Sequence, residues 1–269
     1  MVAQISHRHP LHAETVSPVI QLGCPYETGQ MEAFERVWVS IVTTQQDPPS
    51  WVIATSALVA VIMVTDRRLW RRTRHLITTA HEGSHGLAAL VSGRRLAGIR
   101  LHSDSSGVAV SKGRSSGPGM VLMLLAGYVG PALLGLGTAA LLVADYAVAV
   151  LWSLLVLLAL LLVQIRNWFG LWSILVTGAV VFAVSWFAAE QVQSGFAYLA
   201  TWLLLLGAPR PVLELYGSRR RGRSANSDAD QLARLTRLPA IVWIGIFLLV
   251  TVGVLCLAIW WILRPIIAG

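Results

Sequence analysis

The chain has 269 residues, of which 55% are hydrophobic and only 13% charged, and its mean hydropathy is +0.66. Soluble domains carry about a quarter charged residues, so this composition excludes an ordinary soluble fold and indicates a polytopic membrane protein. The formal net charge of +8 does not point to nucleic acid, because the arginines cluster between apolar runs, where they set membrane topology.

Residues 1–50 are polar and mixed, with His7, His9, His12 and Cys24. They read as a flexible polar arm ahead of a membrane-embedded domain over 51–269. No basic segment followed by an apolar core marks a signal peptide, and 31–44 has the makeup of a short helix lying on the membrane surface. Cys24 and Cys256 have no metal-type spacing and make no disulfide framework. The apolar run 51–65 is short for a span, which takes about 20 residues. The basic patch DRRLWRRTR (66–74) follows, then HLITTAHEGSHGLAALVSG (75–93). The polar, glycine-rich stretch 94–117 contains alternating apolar residues that predict a small β-hairpin. Apolar runs then occupy 119–144, 147–165, 168–189, 196–208 (extending towards Tyr216) and 239–263. The expected fold is an all-α polytopic membrane protein with about six to seven transmembrane helices and a small β-hairpin-like element after the motif helix.

Charge orients these runs. Arg94, Arg95, Arg100, Lys112 and Arg114 mark one loop as cytoplasmic, Arg219, Arg220, Arg221 and Arg223 another, and Arg166 falls on the same side. Asp145 and Glu190 lie at the opposite ends. The patch 66–74, with five arginines, should also be cytoplasmic. That would make 75–93 a segment that enters and returns. Its length nevertheless suits a full crossing, which is the expectation adopted for it.

The segment TTAHEGSHGLAAL (78–90) carries the pattern H-E-x-x-H as His81, Glu82 and His85. On a helix, positions four apart share a face, so both imidazoles can hold one metal ion. Zn²⁺ suits two neutral imidazoles and leaves room for a carboxylate and a water. Glu82 sits beside the first ligand and can act as general base, later passing the proton to the leaving amine. A lone carboxylate in an apolar segment costs at least about 2.5 kcal/mol unless it is paired, which favours a metal site over core histidines with a stray surface acid.

A third protein ligand is needed. Asp228 and Asp230, just before the last apolar run, are both candidates. Each also fits a first-turn acid behind an N-capping Ser227. Asp145 and Glu190 lie on the wrong side, Glu214 is a further possibility, His75 faces away on a straight helix, and His102 reads as a solvated loop residue.

H-E-G-S-H on a membrane segment, followed by a hairpin-like stretch and AGYVGPALLGLG (126–137), resembles the site-2-protease-like membrane zinc metallopeptidases. The similarity is to their compact bacterial branch without an inserted PDZ domain, and QIRNWFG (164–170) and SDADQLARLTRLP-AIVW (227–243) extend it. The resemblance covers about residues 50–263. It implies zinc held by His81, His85 and a distant aspartate, here Asp228, with Glu82 as the base. It also implies cleavage of peptide bonds in or next to transmembrane segments of membrane-protein substrates. The aspartate motif departs from the family's L-D-G and reads S-D-A. Asn167 falls where an asparagine can hold a substrate backbone or an oxyanion. The resemblance places the chain in a bacterial plasma membrane, with the lipid bilayer as its surroundings and no nucleic-acid partner. Two other readings are an ion- or proton-coupled transporter, since intramembrane ionisable residues serve such paths, and a catalytically inactive scaffold of the same fold. Oligomeric state is not legible.

Overall fold

The computed structural model describes residues 34–35, 37–222 and 226–268. The histidine trio, Cys24 and most of the expected arm lie outside the described residues. The chain divides into two compact units between Trp38 and Val39, and the second contains the membrane helices. In that second unit 39–42 are helical, within the stretch expected to form a surface helix.

The first apolar run becomes α1, Ser50–Thr65. It ends because Asp66 leaves helical geometry (φ −68°, ψ 129°) and its carboxylate accepts the backbone N–H groups of Arg68 and Leu69 at 2.9 and 2.8 Å. That cap starts α2, Arg67–Val91, one 25-residue helix with the arginine patch in its first half and the motif in its second. Two antiparallel strands follow, β1 (Arg95–Leu101) and β2 (Gly107–Lys112). The expected hairpin is therefore present.

The remaining elements are α3 (Pro118–Val143), α4 (Ala147–Gln164), α5 (Trp168–Phe187), α6 (Glu190–Gly207), α7 (Pro209–Arg220), α8 (Asp228–Thr236) and α9 (Ala240–Ala268). Proline at the first position of α3 and of α7 fits there, since the first-turn N–H groups have no helical acceptor. Ala208 keeps α-helical angles, so α6 and α7 run on as one apolar stretch from Glu190 to Arg220. Among the described residues, five stretches are long and apolar enough to cross a membrane: α3, α4, α5, α6–α7 and α9. The chain is thus an all-α polytopic membrane protein with one hairpin. The 16-residue α1 is shorter than these, and α2 is half arginine-rich. Large apolar side chains point outward at Val163 (67% exposed), Phe187 (77%) and Leu249 (75%), as lipid contact requires.

The core is built where α1, α2, α3, α4, α6 and α9 meet, around Trp70, Ile77, Leu142, Leu151, Leu205 and Ile262. A second cluster joins Leu124, Val212, Leu232 and Phe247, and so docks α8 between α3, α7 and α9. The hairpin is held by a third cluster, Ile99, Leu101, Ile165 and Ile174. Its β1 strand also bridges Ile165 in parallel, with Arg166 N–H donating to the Ile99 carbonyl at 2.9 Å.

These contacts place the segment 75–93 among its neighbours. α1 runs alongside α6 in the same direction, with Val52 beside Gly195, and Val61 and Leu206 lining a common groove. Its end therefore carries the arginine patch towards α7. There Trp70 Nε1 donates to Glu214 at 2.7 Å and Arg74 pairs with Glu214 at 3.6 Å. The other end of α2 feeds the hairpin, which leans on Arg166. Both ends of α2 thus face the arginine-marked side. In between it lies antiparallel to α3, from Ser92 on Gly119 to Ser84 on Gly130, about half of that helix.

Candidate metal centre

The motif spacing does in the structure what helical periodicity requires. His81 and His85 stand one turn apart on α2, with ring centroids 4.6 Å apart and planes at 86°. Their Nε2 atoms are 3.1 Å from each other. The tautomer of His85 follows from its other nitrogen. Nδ1 lies 2.7 Å from the Met123 carbonyl, which can only accept, so Nδ1 carries the proton and Nε2 presents a lone pair.

Asp228, the first residue of α8, completes the group. Its Oδ2 lies 3.3 Å from each Nε2. Among the described residues these three form the group able to share a metal ion. Their chemistry fits zinc. Ligands about 2.0 Å from a tetrahedral ion lie about 3.3 Å from one another, and the three edges here are 3.1, 3.3 and 3.3 Å. The His85 Nε2 lone pair and the Asp228 carboxylate oxygen face one point and would repel unless a proton or a cation lies between them.

The two aspartates left open by the sequence are now separated. Asp228 meets the histidines, whereas Asp230 turns back to Ser227 and to Arg219.

Glu82 is 5% exposed and lies against Gly107 of the hairpin. Gly107 makes room for it, since a Cβ there would stand 2.7 Å from Glu82 Oε1. On the opposite side Gly127 of α3 lies against both histidine rings, and any Cβ would overlap His85 Nε2. The small residues of AGYVGPALLGLG thus serve close approach of α3 to the motif.

Tyr128, which no sequence motif singles out, stands edge-on to His81 (centroids 4.8 Å, 88°) and stacks on Phe247 at 4.9 Å. A tyrosine between two glycines facing the motif helix was the available signal. Asn167 does not enter the site. Its Oδ1 accepts Leu101 N–H at 3.1 Å, and its Nδ2 donates to the Leu101 carbonyl at 2.6 Å. With donor and acceptor both engaged it anchors the end of β1. His75 also stands apart, bonded to Ser105 Oγ at 3.1 Å and tilted against Phe169. Glu214 is taken by Trp70, Arg74 and Arg210.

A family model described as Peptidase M50B-like matches residues 54–258. No curated protein and no solved structure matches the chain.

Proposed function

The chain belongs to the Peptidase M50B-like family, a family of membrane metalloproteases, and from that premise we propose that it is a zinc-dependent intramembrane endopeptidase. Its substrates are membrane proteins, cut in or next to their transmembrane segments. The observation that carries this reading is the convergence of His81 Nε2, His85 Nε2 and Asp228 Oδ2 within 4.8 Å of one another, on a helix that also bears a buried Glu82.

His81, His85 and Asp228 would hold the metal. Zinc, when bound, supplies Lewis-acid polarisation of the scissile carbonyl and lowers the pKa of the attacking water. Glu82 would take a proton from the attacking water and pass it to the leaving amide nitrogen. The Met123 carbonyl fixes the tautomer of His85, so that its Nε2 stays a ligand atom and not a proton donor. Tyr128 and Phe247 pack beside His81 and keep that flank apolar, which limits bulk water to what the reaction consumes.

The test is Glu82→Gln in the full chain. The variant should retain stoichiometric zinc and lose cleavage of a transmembrane substrate by at least about a hundredfold, the usual contribution of general acid–base catalysis. A variant that still cleaves removes Glu82 as base. Parent protein that drives ion flux and never cleaves supports a transporter.

A further inference from the structure

Asp228 occupies an exacting position: it is the first residue of a nine-residue helix. So short a helix has little stability of its own, and a first-turn side chain is only as well placed as the turn that bears it. The packing of α8 comes from Ala229 and Leu232, both fully buried among α3, α7 and α9. Those contacts hold the helix by its apolar side. They do not fix where its first turn begins.

That start is fixed by Asp230. Its backbone N–H donates to Ser227 Oγ at 3.3 Å, while its Oδ2 accepts Ser227 N–H at 3.1 Å and Ser227 O–H at 2.7 Å, a reciprocal capping box. Asn226 N–H reaches the same oxygen at 3.4 Å. The other oxygen, Oδ1, accepts from Arg219 Nη1 on α7. Both carboxylate oxygens are therefore engaged on opposite sides. One secures the turn that presents Asp228, and the other ties that turn to the long α6–α7 stretch. An Arg–carboxylate bond is charge-assisted and geometrically restrictive, which suits this purpose better than burial alone.

We propose that Asp230 and Arg219 are positioning residues that clamp the first turn of α8 and thereby hold Asp228 at the metal. The inference rests on the zinc-site reading above and deepens it. It also gives a physical meaning to S-D-A-D in place of L-D-G: here the ligand stands at a helix start, and the second aspartate holds that start.

The experiment uses the full chain in detergent and reads metal rather than activity. Zinc affinity is measured by chelator competition, and coordination by the visible spectrum of the cobalt-substituted protein. Loss of an outer-shell partner costs about 10- to 100-fold in metal affinity. Asp230→Ala should weaken zinc by that factor and alter the cobalt bands. Arg219→Gln should do the same to a smaller degree, and adding it to Asp230→Ala should cost nothing more, because the two act as one unit. Asp230→Glu keeps the carboxylate and should recover part of the affinity. If Asp230→Ala does not fold, Arg219→Gln decides alone, since its side chain is 37% exposed. Parent-like affinity and cobalt spectra in both variants overturn the clamp while zinc binding by the parent, abolished in Asp228→Asn, keeps the metal site standing. A parent that binds no zinc takes both readings down together.

Discussion

A methyl group added at Gly127 would meet both imidazoles at once, since His85 Nε2, His85 Cε1 and His81 Cε1 are the three nearest atoms. Two effects oppose each other in Gly127→Ala. Alanine favours a helix by about 1 kcal/mol over glycine, but the clash forces the ligand rings out of line. The second decides the site: the variant should fold and lose zinc affinity at least about tenfold, measured by chelator competition. Gly137→Ala on the same helix meets nothing within 4 Å and should bind zinc like the parent. At this scale His81, Glu82 and His85 were legible from spacing alone, because one helical turn is a local property. Asp228 was not: its 3.3 Å contacts bridge more than a hundred residues of chain. Only the family resemblance separated it from Asp230, since both acids suit a helix start equally.

Asn167 shows how an element is held where its sequence gives no hint. Its amide pairs with both backbone groups of Leu101 as a neighbouring strand would, and so seals the end of β1 that the bridge to Ile165 leaves open. Asn167→Ala should release two hydrogen bonds, about 1–3 kcal/mol. Faster hydrogen exchange over 95–112 with zinc affinity unchanged is the expected result. A variant that keeps exchange protection but loses substrate affinity would restore the direct role anticipated from sequence. The hairpin itself was legible from alternating apolar residues. An asparagine offers donor and acceptor to any partner, so its actual one is invisible until the chain is folded.

Across the whole molecule, the apolar runs foretold the long helices well, because burial in lipid imposes length. The docking of α2 on α7 could not be read this way, for it depends on Trp70 and Arg74 finding Glu214. At the far end, the segment before α1 straps the turn between α3 and α4. Gln45 N–H donates to the Asp145 carbonyl at 2.8 Å, Val148 N–H donates to Gln45 Oε1 at 3.0 Å, and Gln46 N–H reaches Glu190 at 3.3 Å. Burial, and then a hydrogen bond shared with Asp47, push the Asp145 carboxyl up to about 6. A carboxyl raised in the folded state above its unfolded value of about 3.9 contributes stability fully below that value and loses it as pH rises through 6. Solvent screening leaves about 1 kcal/mol of this. Asp145→Asn should therefore gain stability relative to the parent as pH climbs from 4 to 7, followed as the difference in thermal midpoints.

The absence of any break in α2 has its own consequence. From Trp70 to His81 is about 16 Å of rigid rod at 1.5 Å per residue. A tug on the arginine-bearing end is delivered to the imidazoles undamped, as a crank turns the shaft it is forged with. The Glu214 contacts of Trp70 and Arg74 and the ion that the histidines would grip therefore hold opposite ends of one lever.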